Sequence, residues 1–336
     1  MTVKLVQFAQ PHHDVVDPQF EAAFPGVRFV KAADAEACAA EAADAEAVIV
    51  TSQFMDGAIA RALRDGARAG TLKWIQFATT GFDAAARHGL PENVILTNVR
   101  GIRSGILAGH AIALMLGVMR GFHIFAPHRA RHEWARGVLQ NDLTSPGGGA
   151  AVICGMGGVG RDIARKAKLF DMKVIGVSRR GRAGGDFDRV VRREDIHAVL
   201  GQADVLFLAQ GYGADVHHFI GAKELALMKK DAILVNIGRG ALTDEAALAE
   251  ALDAGRIKGA GIDVYEQEPL GADSPFWDLP NVLMTPHIAG QGGSDQKARL
   301  RALFFENVSR YLAGRTLLNR VTAEGDAILD EETGAD

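Results

Sequence analysis

Ala151-Val152-Ile153-Cys154-Gly155-Met156-Gly157-Gly158-Val159-Gly160, followed by a helix-compatible run from Arg161 to Phe170, decides the reading of the fold. Four apolar residues in a row read as a buried strand, and Gly155, Gly157 and Gly160 then fall at the spacing G-x-G-x-x-G. Each glycine has a separate task in that pattern. The first permits a tight turn, the second lets backbone approach a pyrophosphate, and the third allows close packing of helix on sheet. The N–H groups that open the helix, those of Gly158 and Val159 among them, would face the phosphates. A glycine-rich turn without a ligand is the competing explanation. The strand before it and the helix after it favour the phosphate cradle.

Outward from this turn, strands are expected near 150–154, 173–177, 204–208, 232–235, 257–262 and 282–284, with helices between them. Thr243 can cap one of these helices, Asp244 and Glu245 suit its first turn, and Gly255 can end it. The first hundred residues alternate in the same way. Strands are expected at Val3–Phe8, Val27–Val30, Ala47–Val50, Lys73–Gln76 and Val94–Leu96, and helices at Ala35–Ala43 and Met55–Arg64. A helical stretch from about Ser104 to Trp134 links the two series, and another runs from about Ser294 to Leu312. The acidic end from Glu331 to Asp336 reads as a disordered tail. Such alternation implies α/β architecture, with two parallel sheets covered on both faces.

The chain has 336 residues, enough for two full cores, and is 48% hydrophobic and 23% charged. A formal net charge of −4 offers no basic field for a nucleic acid. Two cysteines, Cys38 and Cys154, are too few for a disulfide framework. The opening residues run straight into a strand-like segment with no signal-peptide pattern. The longest apolar stretch, Ile106 to Met119, is interrupted by Gly109 and His110 and falls short of the ~20 residues of a membrane span. A cytoplasmic protein without membrane or nucleic-acid partners is expected.

Three later segments each end in a residue suited to hydride chemistry. Val235-Asn236-Ile237-Gly238-Arg239-Gly240 delivers Arg239, and Asp263-Val264-Tyr265-Glu266-Gln267-Glu268-Pro269 delivers Glu268. Thr285-Pro286-His287-Ile288-Ala289-Gly290 delivers His287. In open parallel sheets ligands bind beyond the carboxyl ends of strands, so all three could reach one crevice. A guanidinium suits a carboxylate, an imidazole can exchange a proton, and a carboxylate can hold that imidazole protonated. Taken singly, each could be structural; together, beside a dinucleotide turn, they read as a reaction centre. His128 and His132, four apart, lack a third ligand and read as solvated or packed rather than metal-binding.

Where dinucleotide folds choose their cofactor, at the end of the next strand, the chain has Ser178-Arg179-Arg180 rather than an acidic residue. A hydroxyl and two guanidinium groups could bind a 2′-phosphate, which favours NADP over NAD. A solvated basic turn, with Arg182 close by, is the alternative.

With these motifs in this order, the chain resembles the D-isomer-specific 2-hydroxyacid dehydrogenases, most closely the glyoxylate/hydroxypyruvate reductase branch. The resemblance runs from about Leu72 to Asn319 and is most specific from Gly155 to Gly290. Distinctive stretches are Gly240-Ala241-Leu242-Thr243-Asp244-Glu245-Ala246-Ala247-Leu248 and Asp278-Leu279-Pro280-Asn281-Val282. It implies a Rossmann cofactor domain, 101–289, inserted into a flavodoxin-like substrate domain of 1–100 and 290–336, and a homodimer. It also implies that Arg239 holds the substrate, His287 exchanges the proton and Glu268 pairs with His287. Asp263 and the Ile237 backbone would position the nicotinamide carboxamide, and Ala209 and Gln210 would line the cofactor ribose. Backbone N–H groups at Thr80 and Gly81 would bind the substrate carboxylate. The chain departs from the family's pattern at Gln210-Gly211-Tyr212-Gly213-Ala214-Asp215, at Gly109 and at Gln291-Gly292-Gly293.

The activity so implied is reduction of a small 2-oxo acid to the D-2-hydroxy acid with NAD(P)H. Two other classes stay open: a dinucleotide-sensing corepressor-like binding protein, and a dehydrogenase of another small anion.

Overall fold

Short, mainly apolar runs, buried in the inner strands and partly exposed at the edges, build two parallel sheets. In the first, β1 (Val3–Phe8), β2 (Val27–Lys31), β3 (Ala47–Val50), β4 (Trp74–Phe77) and β5 (Ile95–Thr97) lie in spatial order 5-4-3-1-2. In the second, β6 (Ala150–Cys154), β7 (Lys173–Ser178), β8 (Arg189–Arg192), β9 (Val205–Leu208), β10 (Ile233–Asn236), β11 (Gly259–Ile262) and β12 (Val282–Met284) run 12-11-10-9-6-7-8. A two-residue strand, β13 (Arg320–Val321), adds to β5 antiparallel. The computed structural model describes residues 2–140, 142–179, 181, 184–211, 214–293, 295–323 and 328.

The chain divides into two units, Met1–Ile102 with Gly293–Asp336 and Arg103–Gly292. In the first unit, Val48, Val50, Ile75 and Phe77 pack under Cys38, Ile59 and Leu63 of helices Ala35–Ala42 and Gly57–Ala69. Leu5, Ile49 and Trp74, on the opposite face, pack on Leu300, Phe304 and Val308 of helix Gln296–Leu312. The order is flavodoxin-like. In the second unit, Ile153, Val174 and Phe207 meet Ala108, Met115 and Val118 of helix Ser104–Met119, while Val152 and Leu206 share the opposite core with Leu248 and Leu252. This is the Rossmann order with one added strand, and its switch point falls between β6 and β9. Both units are therefore doubly wound α/β folds.

The expected strands form to within about two residues, but two helical expectations are corrected. The stretch from Ser104 to Trp134 breaks into Ser104–Met119 and Phe122–Ala130, bent by 66°. Gly121 adopts φ 65° at the break, a left-handed conformation that ends one helix and starts the next. Thr243 does not cap the following helix. Asp244 does, accepting from Ala247 N at 3.0 Å, while Thr243 is buried and takes a 3.4 Å hydrogen bond from Asn236 Nδ2. The strands β8 and β13 were not anticipated.

Among the described residues no single helix is long and apolar enough to cross a membrane. Cys38 and Cys154 are free and buried, and burial pushes both thiols up, that of Cys38 to about 12. The tail from Glu331 to Asp336 lies outside the described residues.

Candidate active site

Strands β10, β11 and β12 are parallel neighbours, so the loops leaving Asn236, Ile262 and Met284 emerge at one sheet edge. Those loops carry Arg239, Glu268 and His287. Gly240 draws the first two loops together. A Cβ there would lie 1.9 Å from the Tyr265 carbonyl carbon and 2.2 Å from Glu266 N, so only glycine fits. Asn236 shapes the arginine loop: its Nδ2 donates to Arg239 O at 3.0 Å, and its Oδ1 accepts from Gly238 N at 3.1 Å. Arg239 is half-buried, and its Nη1 donates to Gly238 O at 2.8 Å.

His287 Nδ1 lies 2.6 Å from Glu268 Oε2, and Glu268 Oε1 accepts from Tyr265 N at 3.0 Å. Burial pushes the Glu268 carboxyl up, but the His287 and Tyr265 hydrogen bonds outweigh it and leave the group below its ordinary value. The Glu268 hydrogen bond lifts the His287 imidazole above its ordinary value, against burial and the Arg239 charge. With side chains 49% and 33% exposed, both members remain reachable from solvent. The pair therefore favours imidazolium facing carboxylate.

His287 sits at φ 52°, an unusual conformation for a non-glycine residue. Its N–H donates to Asp263 O at 2.8 Å. The Asp263 carboxylate is fully buried, and it accepts from Thr285 Oγ1 at 2.6 Å and from Ile288 N and Ala289 N at 2.9 Å each. His110 Nε2 reaches Thr285 Oγ1 at 2.9 Å. Asp263 thus clamps the residues on both sides of His287. Sequence reasoning missed Tyr265, Thr285 and His110. An Asp directly after a strand, facing Thr-Pro-His after the neighbouring strand, was the available signal.

The glycine turn has the geometry a pyrophosphate needs. Gly155 adopts φ 102°, and a Cβ there would stand 2.8 Å from Gln210 N, so the turns after β6 and β9 meet backbone to backbone. At Gly160 a Cβ would lie 1.8 Å from Gly155 O, and at Gly158 2.7 Å from Ser104 Oγ. Gly157, by contrast, faces open space and begins helix Gly158–Lys168 with no side-chain cap. Val159, in the first turn of that helix, is half-buried. Gln210 Nε2 is buried without a partner among the described residues. Ile237, buried after β10, donates its N–H to Leu208 O at 3.2 Å and adjoins Gly238, where a Cβ would lie 2.7 Å from Gln210 O. Open helix-end donors and an unspent amide at the switch point fit a dinucleotide.

At the end of β7, Ser178 Oγ accepts from Gly181 N at 3.1 Å and Arg179 is exposed; Arg180 and Arg182 lie outside the described residues, as does Tyr212. In the first unit, Thr80 and Gly81 occupy the turn after β4. Their carbonyls accept from Asn98 Nδ2 at 2.8 Å and Ser52 Oγ at 3.3 Å. His128 pairs with Glu133 at 2.7 Å, and among the described residues no group of three metal-type ligands converges.

Sheet order and glycine turn define a dinucleotide-binding Rossmann unit. Residues 112–289 match the sequence profile described as D-isomer specific 2-hydroxyacid dehydrogenase, NAD binding domain. The chain belongs to that family, whose cofactor is a nicotinamide dinucleotide. It is 35% identical over 249 residues to glyoxylate/hydroxypyruvate reductase B of Pectobacterium carotovorum, covering 73% of this chain and 78% of the relative. A D-isomer specific 2-hydroxyacid dehydrogenase family protein from Aeromonas salmonicida superposes with TM-score 0.80 at 29% identity, covering 96% of this chain and 100% of that one. The NADPH-dependent glyoxylate/hydroxypyruvate reductase of Sinorhizobium meliloti, solved with NADP and sulfate, gives 0.77 at 26%, covering 97% and 100%.

Proposed function

We propose that this 2-hydroxyacid dehydrogenase reduces a small 2-oxo acid of the glyoxylate or hydroxypyruvate kind to the D-2-hydroxy acid, preferring NADPH. The observation that carries the reading is the 2.6 Å His287–Glu268 pair at the sheet edge that also presents Arg239. When bound, the nicotinamide supplies the hydride. With Nδ1 engaged by Glu268, Nε2 is the nitrogen from which His287 gives a proton to the carbonyl oxygen; solvent then returns it. Arg239 offers a planar fork to the carboxylate and offsets charge developing on the oxygen. Gly155, Gly157, Gly158, Val159 and Gly160 cradle the pyrophosphate, with Ala209 and Gln210 beside the ribose. The Ile237 backbone and Asp263 hold the carboxamide, a role the family resemblance suggests. In the other unit, the Thr80–Gly81 turn offers backbone donors to a carboxylate.

Residues 1–100 with 290–336 form the substrate domain in this reading, 101–289 the cofactor domain, and two copies a homodimer. Ser178 and Arg179, with no carboxylate at the end of β7, support NADPH. Two named relatives point the same way on substrate. The test is oxidation of NADPH against NADH with glyoxylate, hydroxypyruvate, pyruvate and phenylpyruvate. Turnover with glyoxylate or hydroxypyruvate and NADPH is expected. Tight dinucleotide binding without turnover on any of the four would overturn the reading and move weight to a sensing role.

A further inference from the structure

Helix Glu245–Asp253 starts beside the turn that carries Glu268, and its first residue is a half-buried glutamate with no part in the site described above. Glu245 Oε1 accepts from Glu266 N at 2.7 Å, while Glu245 N donates to Glu266 Oε1 at 3.4 Å. Two like-charged residues thus clasp each other through main-chain donors. The same Glu266 oxygen lies 2.9 Å from His218 Nε2. His218 is held at φ 49°, with its N–H donating to Ala241 O at 2.8 Å. A side-chain-bearing residue kept in the left-handed region next to a reactive turn invites a functional explanation.

We propose that Glu245, with Glu266 and His218, braces the turn 265–268 so that Glu268 meets His287, and that the Glu245 charge biases that pair toward the protonated imidazole. This rests on reading His287 as the proton donor. The mechanical link is short. Glu245 grips the Tyr265–Glu266 peptide from one side, Gly240 abuts it where no Cβ fits, and Tyr265 N holds Glu268 Oε1. The groups facing Glu245 are Glu266, Glu268, Tyr265 and His218, and Asp244 Oδ2 stands 4.0 Å from His218 Nδ1. Those facing His287 are Glu268, Arg239 and Asp263. Burial, joined by repulsion from Glu266 and Glu268, holds the Glu245 carboxyl above its ordinary value. A negative charge there raises the proton affinity of the Glu268–His287 pair as a whole, so removing it weakens proton binding at His287.

The experiment follows the imidazole titrations by proton NMR in the full-length protein. The His287 resonance is assigned as the one missing from H287N, and wild type, E245Q and E245A are compared, with pH–rate profiles alongside. Glu245→Gln keeps an acceptor for Glu266 N and removes only charge. Its His287 midpoint should fall by about half a pH unit, and the alkaline limb of reduction should follow. Glu245→Ala also removes the acceptor and should lose about tenfold in kcat, with dinucleotide affinity unchanged. Unmoved midpoints in both variants, with only the melting temperature lowered, would mean an ordinary structural contact and overturn the brace. Normal turnover in H287N sinks the proton-donor reading instead, while the NMR midpoints still decide the coupling.

Discussion

Glu268 and His287 lie nineteen positions apart in sequence yet share a 2.6 Å hydrogen bond, because β11 and β12 run parallel side by side and release their loops at the same edge. The bond sets a pH window. His287 is raised above its ordinary 6.5, so its share of the stabilisation is complete below that value and lost as pH climbs through the raised one. Glu268 is lowered below its ordinary 4.5, so its share is complete above that value and lost as pH falls through the lowered one. Reduction needs the imidazolium and should hold level in this window, then decline on the alkaline side. In E268Q that decline should begin at lower pH, toward the ordinary histidine range. A pH–rate profile unchanged by E268Q would remove Glu268 from the mechanism.

His287→Asn should lower kcat by on the order of 10²–10⁴ while leaving dinucleotide affinity near wild type. His287 meets Glu268, and its N–H meets Asp263 O, but neither contact involves the glycine turn. Fluorescence titration with NADPH beside steady-state kinetics separates the two quantities. A parallel loss of cofactor binding would mean that His287 supports the cofactor site rather than the chemistry.

Two glycines of one motif should behave differently. A Cβ at Gly160 would lie 1.8 Å from Gly155 O, so G160A must displace the helix and should cost about 1–3 kcal/mol. Gly157 faces open space with φ −75°, so G157A should melt like wild type. It should nonetheless bind dinucleotide about tenfold more weakly, because its methyl group occupies the place where phosphate approaches backbone. Thermal melts with and without NADPH would show both. Equal melting points for the apo variants would contradict the packing assigned to Gly160.

Much of this was legible because parallel sheets leave strong marks. Runs such as Val205–Leu208 and Ala232–Val235 are buried on both faces and read as continuous apolar stretches. The trio was legible for a related reason: Arg239 and His287 each follow such a run closely, and Glu268 follows the glycine-rich strand Gly259–Ile262 between them. What escaped depended on tertiary pairing. β8, Arg-Val-Val-Arg, is an edge strand with charged ends, and β13 is two residues whose identity comes only from pairing with β5. The break at Gly121 was hidden because Gly105, Gly109 and Gly117 in the same stretch are helical, and sequence does not tell which glycine takes a positive φ. Asp263 as a clamp, and Glu245 beside Glu266, went unread because their partners come from separate loops distant in sequence.

Asp263→Ala tests that clamp. It would strand the buried donor of Ala289 and the part-buried donors of Thr285 and Ile288 and should cost about 2–4 kcal/mol. The His287 turn would lose its hold, so kcat should fall by more than any loss of folded protein explains. Asp263→Asn keeps an acceptor oxygen and should recover part of the stability. Full activity in the folded fraction of D263A would show that His287 keeps its place without the carboxylate.

Cofactor choice offers the most direct test of the residues at the end of β7. An acidic residue there binds the ribose hydroxyls of NAD and repels a 2′-phosphate; this chain has Ser178 with Arg179 beside it. Ser178→Asp supplies the missing carboxylate. It should raise the KM for NADPH by about tenfold or more and lower that for NADH, with kcat little changed because the reacting groups lie on the loops after β10, β11 and β12. The Ser178 hydroxyl also accepts from Gly181 N at 3.1 Å, and aspartate can keep that bond, so the turn itself should survive. Steady-state KM values for the two cofactors, at a saturating 2-oxo acid, read the outcome. If wild type prefers NADH and S178D leaves the ratio unchanged, the basic turn is a solvated surface feature and the enzyme chooses its cofactor elsewhere.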